Sequence, residues 1–291
     1  MKSETKGMFI GFIGIFIFSL TLPATKVAML DLNPYFVAYG RALIAGLAAV
    51  AYLIVSKAGW VETKYIPQLL VVATGVVFGF PLLVNLAMQN GSSAHGSIIL
   101  GLLPLATAIL GAIRHHEKPS IGFWISAVIG STLVVIFSFI TGGGKVAHDD
   151  WLLFGACLFA SIGYSEGADL SRVMNPKVVI SWVLVLSLPI NCILSYLTLD
   201  VDFLQLSLKS SIAFLYLAFF SMYIGFFFWY EGLKVGGIAR VSQVQLIQPF
   251  ITMIAASFLL GDELTVLNLV FATLVVLTVM IGKKMLIVKS N

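Results

Sequence analysis

Ten stretches of mostly apolar residues follow one another along the chain, at approximately 7–29, 34–56, 66–88, 94–113, 120–140, 152–172, 178–199, 211–233, 238–260 and 264–287. Each is close to the roughly 20 residues that a helix needs to cross the hydrocarbon core of a bilayer. Inside lipid every backbone polar group must be satisfied within the protein, and runs of this length select helices. The expected fold is therefore an all-α integral membrane protein with ten transmembrane helices. Composition agrees: 59% of residues are apolar and 10% charged, against about a quarter charged in soluble domains. A soluble enzyme and a disordered chain are disfavoured. The net charge of +4 is not gathered into a basic cluster, so nucleic acid is not an expected partner. The first apolar run follows Lys2 and Lys6 and continues into Pro23-Ala24-Thr25-Lys26 without a small-x-small cleavage site. It reads as a retained span and not as a secretory leader. Cys157 and Cys192 fall inside apolar runs and read as small buried hydrophobes, so neither a disulfide framework nor a metal or other cofactor is expected.

Charge gives the orientation. Of the 17 basic residues, 13 (Lys2, Lys6, Lys57, Lys64, Arg114, Lys118, Arg172, Lys177, Lys234, Arg240, Lys283, Lys284 and Lys289) lie on the side holding both termini and the even-numbered loops. The other side has Lys26, Lys145 and Lys209, while Arg41 falls within a span. The positive-inside rule then places both termini in the cytoplasm, in the cell (inner) membrane. Asp31, Asp149, Asp150, Asp200, Asp202, Asp262 and Glu263 fall on the external side.

A weak repeat divides the chain. Residues 94–104 and 239–249 both read A-x-x-S-x6-P at an offset of 145. Glu117 follows Pro104, Glu263 follows Pro249, and Asn33-Pro34 and Asn175-Pro176 each open a span. Two five-span halves, 1–145 and 146–291, are expected. Five is odd, so the second half must be inverted relative to the first, an arrangement recurrent among secondary transporters. On these residues the chain resembles the drug/metabolite transporter superfamily, in particular its EamA-type members; Arg41 and Lys26 are similar to that family as well. The resemblance implies a central cavity lined mainly by spans 1, 3, 4, 6, 8 and 9, and export of amino acids, related metabolites or amphipathic toxic compounds. It departs at Arg41, since Val183 stands at the matching distance from the second Asn-Pro.

Charged groups within a span face a cavity or a partner, because lipid disfavours them by several kcal/mol. Glu166 and Asp169 share one helix face in the cytoplasmic half of span 6 and are candidates for proton coupling, with Glu166 also a candidate cavity wall. Against this, Asp169 could simply pair with Arg172. Arg41 is a candidate for a substrate carboxylate; the alternatives are snorkelling outward or pairing with Asp31. Glu231 is expected to pair with Lys234. Asn85 with Gln89, and Gln245 with Gln248, are polar pairs suited either to substrate or to holding helices together. Tyr164 and Tyr223 lie deep enough to stack on a substrate or to pack. Trp60, Trp124 and Trp151, with Trp229 and Tyr230, read as interfacial anchors. His95 reads as a surface or gate residue, and His115 and His116 as solvated surface. Pro104 and Pro249 are expected to kink the two halves around the pathway.

No ATP-binding signature occurs in the sequence. The expected mechanism is alternating access driven by a gradient of substrate or protons. Partners are a small-molecule substrate, a coupled proton, membrane lipid and, as an open alternative, a second copy in a homodimer. Multidrug efflux, a membrane enzyme and a non-transporting receptor are the rival readings.

Overall fold

In a computed structural model, the described residues are 3–91, 93–114, 117–141, 148–200, 206–261, 263, 265–284 and 287–289. They form helical rods α1 (Ser3–Ala28), α2 (Pro34–Val55), α3 (Thr63–Ala87), α4 (93–114), α5 (Ile121–Thr141), α6 (His148–Val173), α7 (Pro176–Leu197), α8 (Leu208–Gly236), α9 (Ile238–Leu260) and α10 (Val266–Lys284). Six of them (α1, α2, α3, α7, α8 and α9) are long and apolar enough to cross a membrane unaided. In α4, α5 and α10 the apolar stretches are shorter. Helix α6 has 26 residues but carries Asp149, Asp150, Glu166, Asp169 and Arg172. Among the described residues there is also a short strand pair: β1 (Glu117–Pro119) pairs antiparallel with β2 (Ile287–Lys289), with Glu117 opposite Lys289.

Local chemistry sets the helix ends. The side chain of Asn33 accepts from the Phe36 N–H at 2.8 Å, and that of Asn175 from the Lys177 N–H at 3.0 Å. In each case proline takes the first helical position, where no N–H is needed. Helices α8 and α9 are joined through Gly237, whose φ of +87° suits glycine. Gly261, with φ of +78°, ends α9 in the left-handed conformation.

The rods pack chiefly as α1 on α8, α2 on α7, α3 on α6, α4 on α9 and α5 on α10. Two of these crossings are made by small residues. A Cβ on Gly232 would lie 2.6 Å from the Gly11 nitrogen, and one on Gly14 would lie 3.0 Å from the Trp229 nitrogen, so α1 and α8 touch backbone to backbone. A Cβ on Gly75 of α3 would lie 2.9 Å from the Gly163 nitrogen of α6. Close approach of this kind replaces the hydrophobic drive that lipid does not supply. It also corrects the expectation for Trp229 and Tyr230. Both are fully buried, Trp229 against the α1 glycines and Tyr230 over Gly167, with its hydroxyl donating to the Gly163 carbonyl at 3.1 Å. Trp60 is exposed and packs at a tilt against buried Trp182.

Prolines bend the rods and their neighbours absorb the damage. Pro23 has no N–H for the carbonyl of Ser19, four residues back, and α1 breaks at Leu20. The Thr252 hydroxyl of α9 donates to that carbonyl at 2.8 Å. Pro104 and Pro249 each follow a 3-10 turn, at Leu100–Leu102 and Gln243–Ile247. A π turn, Ala73–Gly79, precedes Pro81 in α3. Helix α8 has its own π turn, Leu217–Ile224, with no proline.

Candidate functional site

Seven rods meet around a central cavity. It is lined by Phe18, Thr21 and Leu22 of α1, Arg41 of α2, Val76, Phe80 and Pro81 of α3, Leu100 of α4, Tyr164 of α6, Ser221, Met222 and Phe226 of α8, and Gln248 of α9. The walls nearly meet and leave about 20 Å³, space for about one water molecule. Rings dominate: Tyr164 lies parallel to Phe18 at 6.4 Å, and Phe226 tilts against both. Thr21 and Ser221 hydrogen-bond at 2.9 Å and tie α1 to α8 at the wall.

Arg41 is the charged group here. It is 1% exposed, and its Nε and Nη1 atoms have no hydrogen-bond partner among the described residues. It neither snorkels nor meets Asp31, whose carboxylate instead accepts from the Ser207 N–H at 3.0 Å and from the Ser207 hydroxyl at 2.5 Å. Those hydrogen bonds, led by the hydroxyl, hold the Asp31 carboxyl below its ordinary value.

A second polar cluster lies on the face that carries the N-terminus. The Glu166 carboxylate, 3% exposed, pairs with the Arg114 guanidinium of α4. Gln68 of α3 donates to Glu166 at 2.8 Å and to Asp169 at 3.2 Å. Asp169 also faces Arg172 at 3.8 Å. On the same face Arg240 of α9 pairs with Glu4 of α1. Ties therefore join α3 and α4 to α6, and α1 to α9. The opposite face has a vestibule of about 550 Å³ between α1, α2, α3, α4 and α9.

Of the residues singled out from sequence, Arg41, Tyr164 and Gln248 line the central cavity. Glu166 and Asp169 stand in the N-terminal-face cluster. Asn85 donates to the Pro34 carbonyl at 3.0 Å and holds α3 to α2, while Gln89 is exposed in the vestibule. Tyr223 hydrogen-bonds Ser181 of α7 at 2.6 Å. Gln245 is buried in the 3-10 turn of α9, and neither of its amide atoms has a partner among the described residues. No ion pair joins Glu231 to Lys234 among the described residues; both are half-buried. His115 and His116, and the side chains of His95 and His148, lie outside the described residues. Sequence reasoning missed Gln68, Arg114 and the Glu4–Arg240 pair. Gln68 carried one signal, a lone amide in the first turn of an apolar span.

Comparison with known proteins decides the family. The model of the EamA-like transporter family matches this chain twice, over residues 5–139 and 149–281. The chain belongs to the EamA-like transporter family. Among the relatives, the uncharacterized transporter YdeK of Bacillus subtilis is 44% identical over 263 residues, covering 90% of this chain and 92% of its own. An uncharacterized transporter of Archaeoglobus fulgidus is 27% identical and covers 90% of this chain and 93% of its own. A solved crystal structure superposes with a TM-score of 0.77 at 17% identity, over 96% of this chain and 98% of that one, and shares the fold. This EamA-like chain is accordingly a multi-pass membrane transporter of the drug/metabolite kind, with a small-molecule substrate and lipid as its surroundings.

Proposed function

We propose that this EamA-like protein is a secondary transporter that exports amino acids or related metabolites by alternating access, with Arg41 receiving the substrate carboxylate. The observation that carries the reading is the buried guanidinium in the central cavity, two of whose nitrogens have no partner among the described residues. A group so costly to hold in lipid needs an anionic partner, and the rings of Phe18, Tyr164 and Phe226 suit an apolar side chain on the same molecule. Gln248 and Tyr164 would complete the pocket. Asn85, Gln89, Tyr223 and Gln245 act around it, in helix contacts and at the entrance. Export as the direction rests on the family likeness.

In this reading the chain crosses the cell (inner) membrane ten times, with both termini cytoplasmic, as two inverted five-helix halves, 1–145 and 146–291. Three observations support it. The family model matches two segments of similar length. The principal helix pairs form a set that maps onto itself when every helix is advanced by five: α1–α8 exchanges with α6–α3, and the other three pairs are self-mates. Backbone irregularities also recur in mates, π turns in α3 and α8 and 3-10 turns in α4 and α9.

The Gln68–Arg114–Glu166–Asp169 cluster then acts as the cytoplasmic gate, closed here. Proton arrival at Glu166 would release Arg114 and let α4 leave α6, coupling the gate to a proton gradient. Counterflow in proteoliposomes tests the substrate reading. Labelled amino acids should exchange in the wild type, whereas their amides should not. Arg41→Gln should lose exchange at least tenfold with the protein still folded. Equal transport of acids and amides, or an unimpaired Arg41→Gln, would transfer the reading to uncharged or cationic amphipathic compounds.

A further inference from the structure

The central cavity does not account for the vestibule on the opposite face. We infer that this vestibule is a second, shallower binding site for an amphipathic monocarboxylate, held by Lys26 with its apolar body against Met29, Leu30, Met88 and Leu260. All five residues line one space of about 550 Å³, large enough for a small ligand; binding pockets commonly run from about 300 Å³ upward. Lys26 makes no ion pair among the described residues. Its nearest acid in sequence, Asp31, is committed to Ser207. A second polar group points to the same occupant: Ser93 lines the vestibule, is 0% exposed, and its hydroxyl has no partner among the described residues. One cation, the Ser93 hydroxyl, the Gln89 amide and four apolar side chains match a ligand with a carboxylate on an apolar body.

The site lies on the same helices as the central cavity. Lys26 is five residues beyond Thr21 on α1, and Pro34 is seven residues before Arg41 on α2, a separation of roughly 10 Å along α2 at about 1.5 Å per residue. The inference stands on the vestibule alone and does not require that Arg41 bind substrate.

The test uses the purified full chain in detergent and reads access, not transport. In a Cys192→Ala, Gln89→Cys background the remaining native thiol, Cys157, is buried. A negatively charged methanethiosulfonate should modify Gln89→Cys about two- to threefold faster, relative to a positively charged one, than it does after Lys26→Gln, the size expected of one unpaired charge in a hydrated pocket. Lys26→Arg should keep the preference. Benzoate should slow the modification, and benzamide of the same shape should not; Lys26→Gln should remove the protection by benzoate. Equal protection by benzoate and benzamide would overturn the inference, as would an effect of either reagent that ignores Lys26→Gln. A carrier with an intact vestibule but inert Arg41, or the reverse, separates this site from the central one.

Discussion

At the scale of single residues, three groups differ in what a change should do. Arg41 is buried at the cavity with no partner for its Nε and Nη1 atoms among the described residues, so Arg41→Lys keeps the charge but loses the fork geometry. It should raise the substrate KM with little change in kcat, while Arg41→Gln should lose exchange at least tenfold. Glu166 is a buried carboxylate, yet its partner Arg114 is 58% exposed. Breaking the pair should therefore cost less than the roughly 3–5 kcal/mol of a fully buried pair. Glu166→Gln should fold, bind substrate and lose acceleration by a pH gradient; transport that still follows the gradient would remove Glu166 from coupling. Asp31 shows the sign of a pH effect. Its carboxyl is held below the ordinary value of 3.8, chiefly by the Ser207 hydroxyl. The hydrogen bonds are thus complete at neutral pH and disappear as the pH falls below 3.8. Amide exchange at Ser207 should be slow at pH 7, faster in Asp31→Asn at that pH, and the difference between the two should close in acid.

At the scale of helices, prolines and glycines decide the shape. The Ser19 carbonyl is freed by Pro23 and met by Thr252. Thr252→Val should lower stability by about 0.5–2 kcal/mol. In a Pro23→Ala background the restored N–H takes up the carbonyl, and the same change should cost little. A cycle without such coupling would mean that the hydroxyl does not serve the kink. On α1 and α8, Gly232→Val would drive its side chain into the Gly11 backbone, and unfolding by denaturant should show a loss of about 1–3 kcal/mol. Much at this scale was legible in the sequence. Run length located the helices within four residues of where they begin and end, because lipid thickness fixes length. The paired Asn-Pro caps and the proline kinks carry their own local chemistry. What could not be read was which helix each residue faces. Trp229 near a helix end looks like an interfacial anchor, and the glycines of the neighbouring α1, with Tyr164 of α6 edge-on, bury it. Glu166 announced itself by its cost in lipid, but Arg114 and Gln68 lie 52 and 98 residues from it, and no periodicity links them. Arg41 was legible as an anomaly; that it faces the cavity and not the outer surface depends on how α2 packs on α7.

At the scale of the molecule, the N-terminal face is tied by Glu4–Arg240 and by the Glu166 cluster, the centre is almost closed, and the opposite face has an open vestibule. In the proposed cycle these are the marks of a carrier occluded at its centre and locked on one side. Opening that side must then shrink the other, since the same helices bound both spaces. Pairs of spin labels measure this directly: one pair at Ile113 and Val173 on the N-terminal face, another at Asn90 and Leu259 across the vestibule. The predicted result, on adding a transported amino acid or lowering the pH, is a longer first distance with a shorter second, both reversed when Glu166 and Arg114 are cross-linked as cysteines. Distances that stay fixed during transport, or that lengthen together as in a channel, would contradict alternating access.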